Sequence, residues 1–245
     1  MLCGGFIRAA MPPFDRSLIP AEPNLSFELA LWDAGLTSVA GIDEAGRGAL
    51  AGPVSAAAVI LPADPIIERY LKGVRDSKQL TSDQREIARE KILQHAAAWG
   101  VGFASSEEID QIGILPATRL AACRALEALS ISPVHILLDY LFLPEITVPQ
   151  TALIKGDCRA LSIAAASILA KTARDAVLRE LDLTYPGYGF AAHKGYGTFA
   201  HRKALQRLGI CPVHRLSFAW FAEPDGRLNG KQPEPDANSP EMIDQ

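Results

Sequence analysis

"SVAGIDEAGRGALAGPVSAAAVIL", residues 38–61, holds two apolar runs on either side of a glycine-rich stretch, and its reading decides the fold. Alternating apolar residues in SVAGID (38–43) and the small and branched residues of GPVSAAAVIL (52–61) predict two strands. Between them, Gly46-Arg47-Gly48 predicts a turn, since glycine adopts backbone conformations that other residues avoid. An acidic pair, Asp43-Glu44, closes the first strand directly before this cationic turn.

Further along the chain, AAWGVGFAS (97–105) reads as a third strand. The helix before it, TSDQREIAREKILQHA (81–96), has an N-cap in Thr81 or Ser82 and an apolar face of Ile87, Ile92 and Leu93. GILPATRLAACRALEAL (113–129) reads as a second helix. PVHILLDY (133–140) and TALIKGD (151–157) read as buried strands, each finishing in an aspartate, and the second feeds a long helix over 159–185. Early strands on short connections, then strands separated by helices, point to a mixed α/β sheet.

With 245 residues, 49% of them hydrophobic, the chain can bury a full core. No uncharged apolar run is long enough to span a bilayer, and prolines and charges interrupt the N-terminal MLCGGFIRAAMPPFDRS where a signal sequence would continue. A cytosolic protein with no membrane partner is the expectation. Cys3, Cys123, Cys158 and Cys211 are scattered without zinc spacing and read as reduced thiols. Three parts are expected: an N-terminal extension (1–35), one compact domain (36–222), and an acidic, Pro- and Gly-containing tail (223–245) too poor in apolar residues to order itself. The formal net charge of −4 conceals an uneven distribution, because 155–215 carries ten Lys and Arg against four Asp and Glu. A basic third facing acids nearer the N-terminus suits a polyanion held against bound cations.

Four acids sit at strand ends: Asp43, Glu44, Asp139 and Asp157, with no obvious Lys or Arg among them. Ligands of open α/β sheets gather at the carboxyl ends of strands, so the four fit one crevice. Unpaired there, they would repel one another, and a divalent cation relieves that repulsion. Hard oxygen ligands suit Mg²⁺ or Mn²⁺, and two such ions can promote phosphodiester hydrolysis. For Asp157, a helix N-cap is the alternative reading.

Several motifs in order resemble ribonuclease HII, the type 2 ribonuclease H family. They are GIDEAGRGALAGPV (41–54), DSKQL (76–80), HILLDY (135–140), KGD (155–157), SIAAASILAKTARD (162–175) and YPGYGFAAHKGYGT (185–198), followed by His214-Arg215 and Ser217-Phe218. The resemblance covers roughly residues 38–220. It implies an RNase H-like fold, a five-stranded mixed sheet flanked by helices with a C-terminal helical extension. It also implies a monomeric endoribonuclease acting on RNA/DNA hybrids and on ribonucleotide-containing duplex DNA, cutting 5′ of the ribonucleotide by a two-metal-ion mechanism. The family's metal ligands fall on Asp43, Glu44, Asp139 and Asp157. Its reader of the ribose 2′-hydroxyl falls on Gly46, Arg47 and Gly48, with Tyr196 stacking near the sugar. Lys78, Lys171 and Arg174 are candidate phosphate contacts, a solvated helix face being the alternative for the last two.

Some residues depart from the family pattern. Tyr140 and Leu141 follow the fourth-strand aspartate where a glycine or small polar residue is common, and Ala173 stands where threonine is common. The N-terminal extension is too short for the substrate-binding domain of ribonuclease HIII, and no Gln-led clamp motif stands in the tail, which leaves a sliding-clamp partner open. Two other classes compete. Another nuclease of RNase H fold shares clustered acids but not the Gly-Arg-Gly turn together with the tyrosine, and a non-catalytic nucleic-acid-binding module shares the basic third but need not keep four acids.

Overall fold

The computed structural model describes Asp15, Ser17 and residues 19–218. The acidic tail (223–245), Cys3 and the start of the N-terminal extension lie outside the described residues. In chain order the elements are α1 (Ser26–Asp33), β1 (Val39–Ala45), β2 (Val54–Ile60), α2 (Ile67–Tyr70), α3 (Ser82–His95), β3 (Ala98–Ala104), α4 (Ser106–Ile112) and α5 (Ile114–Glu127). There follow β4 (His135–Asp139), β5 (Gln150–Leu153), α6 (Leu161–Thr184), α7 (Phe190–His193) and α8 (Phe199–Leu208).

The strands form one five-stranded mixed sheet in the order β3-β2-β1-β4-β5. The opening stretch makes its antiparallel centre, with Asp43 opposite Ala57. β3 extends it antiparallel to β2, while β4 and β5 add parallel on the other side. Every residue of β2 is buried, because helices cover both faces. Its side chains alternate between them. Ala56 and Ala58 meet Ala117, Ala121 and Ala125 of α5, whereas Ala57 and Val59 meet Ala164, Ala165 and Ile168 of α6. At Gly41 a side chain would overlap the backbone of Ser162, so α6 starts directly over β1, beside the strand end that carries Asp43.

A third apolar cluster forms the C-terminal helical part. Tyr188, Phe190, Ala204 and Leu205 pack on Leu178 of α6, with Phe190 fully buried. Truncation of such a phenylalanine costs about 3–5 kcal/mol, so this part is fastened to the sheet domain by its own core.

The N-terminal extension, as far as it is described, packs onto the body. Leu25 is buried, and Phe27, Leu31 and Trp32 of α1 lie against the core. Glu28 is fully buried and accepts hydrogen bonds from Ser162 N–H at 2.8 Å and Ser162 Oγ–H at 2.6 Å, closing the first turn of α6. Burial raises the Glu28 carboxyl above its ordinary pKa. In α3, Thr81 is the N-cap and forms a capping box with Gln84. Ile92 is buried and Leu93 half-buried as expected, but Ile87 is 61% exposed, and Ala88 takes its place on the inner face. β5 is an edge strand, mostly half-buried, and ends at Leu153 rather than at Asp157. α4 is a helix that apolar periodicity does not reveal; its signal is the capping box of Ser105 and Glu108.

Candidate active site

Three of the four expected acids meet at one end of the sheet. Parallel pairing sets Ile42 opposite Leu138, so Asp43 and Asp139 leave their strands side by side. Asp157 arrives by a different route. After β5 the chain passes through Lys155 in the left-handed conformation, φ 59°, into a 3₁₀ turn, Gly156–Cys158. The Gly156 N–H donates to Asp139 Oδ1 at 2.8 Å and ties that turn to β4. One carboxylate oxygen each of Asp43, Asp139 and Asp157 lies within 4.8 Å of the others. Asp157 does not cap α6, whose N-cap position is Ala160 with no side-chain bond. Instead its Oδ1 is buried without a hydrogen-bond partner among the described residues. Glu44 lies outside the trio; its Oε1 accepts from Arg47 Nη1 at 3.1 Å.

The electrostatics follow from burial and crowding. Asp43 is buried, and desolvation, then the Glu44, Asp139 and Asp157 charges, hold its pKa well above the ordinary value. Asp139 is pushed up to about 6, by burial first and by Asp157 next. The acids are not free of cations, contrary to the chain reading. Lys78 Nζ stands 3.8 Å from Asp157 Oδ2. Burial opposes the Lys78 charge, yet Asp76, Asp43, Asp157 and Asp139 together hold its pKa above the ordinary value. One ammonium does not balance three crowded carboxylates. An orphaned buried oxygen and a set of hard oxygen donors fit a divalent cation.

Beside the acids lies a cleft of about 540 Å³ lined by Glu44, Gly46, Arg47, Gly48, Lys78, Lys171 and Tyr196 among others. Seven expected site residues thus share one concavity. Gly46 has φ 93°, and a side chain there would overlap the Arg174 guanidinium. Arg174 is placed differently from the phosphate contact expected of it. It is fully buried, and it donates to the carbonyls of Pro53 at 2.8 Å, Lys194 at 2.9 Å and Ala51 at 3.1 Å. Its charge lies 5.5 Å from the centre of the Tyr196 ring. Arg215 completes the support: it is fully buried and donates to Gly52 O and Arg47 O, each at 2.9 Å. Burial, then Arg174, lowers the Arg215 pKa to about 9. Tyr196 is 38% exposed at the cleft wall. Lys171 pairs with Asp175 at 2.6 Å and still lines the cleft.

The Ribonuclease HII family model matches residues 40–221. The chain belongs to the ribonuclease HII family. A ribonuclease HII of Anaeromyxobacter sp. (strain Fw109-5) is 53% identical over 79% of this chain and 60% of its own length, so the chain spans less than two thirds of that relative. A ribonuclease HII of Synechococcus sp. (strain JA-3-3Ab) is 56% identical over 81% of this chain and 89% of its own. Among solved structures, the ribonuclease HII of Archaeoglobus fulgidus, described in complex with PCNA, superposes with a TM-score of 0.63 at 27% identity, covering 74% of this chain and 95% of that one. No helix among the described residues is long and apolar enough to cross a membrane.

Chain reading gave no role to Arg215, or to His201 and His214. The signal was present in the sequence: three of five histidines fall between residues 193 and 214.

Proposed function

We infer that this chain is a metal-dependent endoribonuclease that cleaves the RNA strand of RNA/DNA hybrids and cuts at ribonucleotides embedded in duplex DNA. The observation that carries the reading is the carboxylate trio, with Asp43 and Asp157 buried and Asp139 half-buried, beside a cleft lined by the Gly-Arg-Gly turn and Tyr196. Asp43, Asp139 and Asp157, with Glu44 turned inward from Arg47, would hold two Mg²⁺ or Mn²⁺ ions. Bound there, the ions supply an activated water and stabilise the leaving oxygen, with a 3′-hydroxyl and a 5′-phosphate as products.

The chain's own residues bind and orient the substrate. Gly46 and Gly48 let main-chain groups approach a ribose closely, and Arg47 is placed to hold a phosphate. The 2′-hydroxyl is the group that separates RNA from DNA at a given sugar. Tyr196 faces the turn across the cleft and packs against the neighbouring sugar. Lys78 and Lys171 contact phosphate, whereas Arg174 acts from below by fixing main-chain carbonyls. Residues 36–222 make up the catalytic unit in this reading, with α1 packed onto it.

Cleavage of a DNA duplex containing one ribonucleotide, with Mg²⁺ and with EDTA, tests the proposal. One cut 5′ of the ribonucleotide with Mg²⁺ and none with EDTA supports it. Undiminished cutting in EDTA, or equal cutting of the all-DNA duplex, overturns it.

A further inference from the structure

We propose that His201 and His214 form a neutral hydrogen-bonded pair whose task is to position Tyr196 against the Gly46–Gly48 turn. The inference rests on Tyr196 serving as a sugar reader. It concerns two buried groups that take no part in metal binding.

One arrangement of protons satisfies the pair and its main-chain partners. The Cys211 N–H donates to His214 Nδ1 at 2.9 Å, and the Cys211 carbonyl, 3.1 Å from the same nitrogen, already accepts from the His214 main-chain N–H at 3.0 Å, so we place the His214 proton on Nε2. His214 Nε2 lies 3.1 Å from His201 Nε2, which therefore accepts, and the His201 proton sits on Nδ1. Nδ1–H donates to the Tyr196 carbonyl at 3.0 Å. A proton added at His201 Nε2 would face the His214 Nε2–H across 3.1 Å. Both rings are buried, and their pKa values are lowered to about 4, by burial above all, which keeps them neutral at physiological pH.

The two rings sit on the two pieces that have to be aligned. His201 is on α8 and reaches back to Tyr196. His214 lies on the segment that pairs with the trailing limb of the turn: it bridges Ala51, Gly52 N–H donates to Val213 O at 2.8 Å, and Arg215 N–H donates to Leu50 O at 2.9 Å. The Tyr196 loop touches the same limb, because Gly195 O accepts from Leu50 N–H at 2.8 Å. The His201–His214 bond closes this ring of contacts on its buried side. His201 and His214 are positioning residues acting through Tyr196.

Isosteric replacement separates positioning from bulk packing. An asparagine amide reproduces the donor at Nδ1, and a glutamine amide reproduces the donor at Nε2. His201→Asn and His214→Gln keep the donors that matter, and His201→Gln and His214→Asn lose them. The readout is the ratio of kcat/KM on a single-ribonucleotide duplex to kcat/KM on a continuous RNA strand, with melting temperature and Mg²⁺ titration alongside. The ratio should fall about five- to ten-fold in His201→Gln and His214→Asn, the loss of one buried hydrogen bond, and return most of the way in the isosteric variants. The Mg²⁺ titration midpoint should not move. Equal losses in all four variants, or losses equal on both substrates, would overturn the proposal. If none of the four folds, the pair is a core element and the positioning role fails. Tyr196→Ala distinguishes the two levels. An unchanged ratio there sinks the sugar-reading role itself, whereas a changed ratio with no histidine effect sinks only the pair.

Discussion

The acidic cluster beside the cleft and the turn that lines the cleft, the two walls of the site, are built on opposite principles. On one, three carboxylates crowd together, one buried oxygen lacks a partner, and two pKa values are driven upward. On the other, two buried guanidinium groups donate to five main-chain carbonyls around a glycine turn. The acidic wall is under electrostatic strain that a bound cation would relieve, and the turn wall is already held in place. That division suits a reaction in which charge stabilisation comes from bound ions and recognition from preorganised backbone.

The largest effect is expected from the acidic wall. Asp43→Asn and Asp139→Asn should each lose roughly three orders of magnitude in kcat and keep affinity for the duplex, since transition-state stabilisation is what is removed. Burst kinetics and a binding titration on the same substrate check this. In EDTA at pH 8, Asp139→Asn should melt higher than the native protein, because the substitution removes a repelling charge. A lower melting temperature would show that this wall is held by its own bonds, as the other is.

On the turn wall the order reverses, and stability dominates. Arg174→Met removes three hydrogen bonds and strands the carbonyls of Pro53, Lys194 and Ala51. Each buried carbonyl left without its donor costs about 1–3 kcal/mol, so a loss of several kcal/mol is expected, read by urea denaturation. A loss below about 1 kcal/mol would mean that the turn is held elsewhere.

These two residue sets also differ in how much the sequence disclosed. Asp43 and Asp139 were legible because alternation along a strand places its last residue at a sheet edge, and pairing of neighbouring strands does the rest. Asp157 was legible as a member of the cluster but not in its route there, since a left-handed Lys155 and a 3₁₀ turn, which no periodicity encodes, carry it in where a strand end was expected. Arg174 looked like a phosphate ligand because an arginine on a long helix reads as exposed. Its partners come from residues 51, 53 and 194, and only the tertiary fold brings those together. Ile87 failed for a similar reason: with few apolar residues in α3, the docking angle on α6 chose the buried face, and Ala88 fits it more closely.

A moderate effect should appear in the response of stability to pH. Burial and neighbouring charge push Asp139 up to about 6 in the folded chain, from its ordinary 3.8, and hold Asp43 well above its ordinary value too. The folded state therefore binds more protons than the unfolded chain between these values. Their contribution is fully present below the ordinary carboxylate pKa and is lost as pH rises through about 6. Mg²⁺ bound to the ionised form would offset the loss. The gap between melting temperatures with Mg²⁺ and with EDTA should be small at pH 5 and widen by pH 8. A gap independent of pH would break the contrast between the walls.

The smallest effect is expected where the walls meet. The Arg47–Glu44 pair, at 3.1 Å, joins the turn to the acidic strand end, and Arg47 is 48% exposed on its side chain. An exposed pair contributes about 0–1 kcal/mol, because water and salt screen it and two side chains lose freedom to form it. Arg47→Ala should therefore change the urea midpoint by little. It should also free Glu44 to join the other acids, so the Mg²⁺ concentration for half-maximal cleavage should fall or hold, while KM for the duplex rises through loss of a phosphate contact. Measuring both in one titration separates the two walls. A stability loss of several kcal/mol would instead show that turn and carboxylates form one cooperative unit, with the ion pair as its joint.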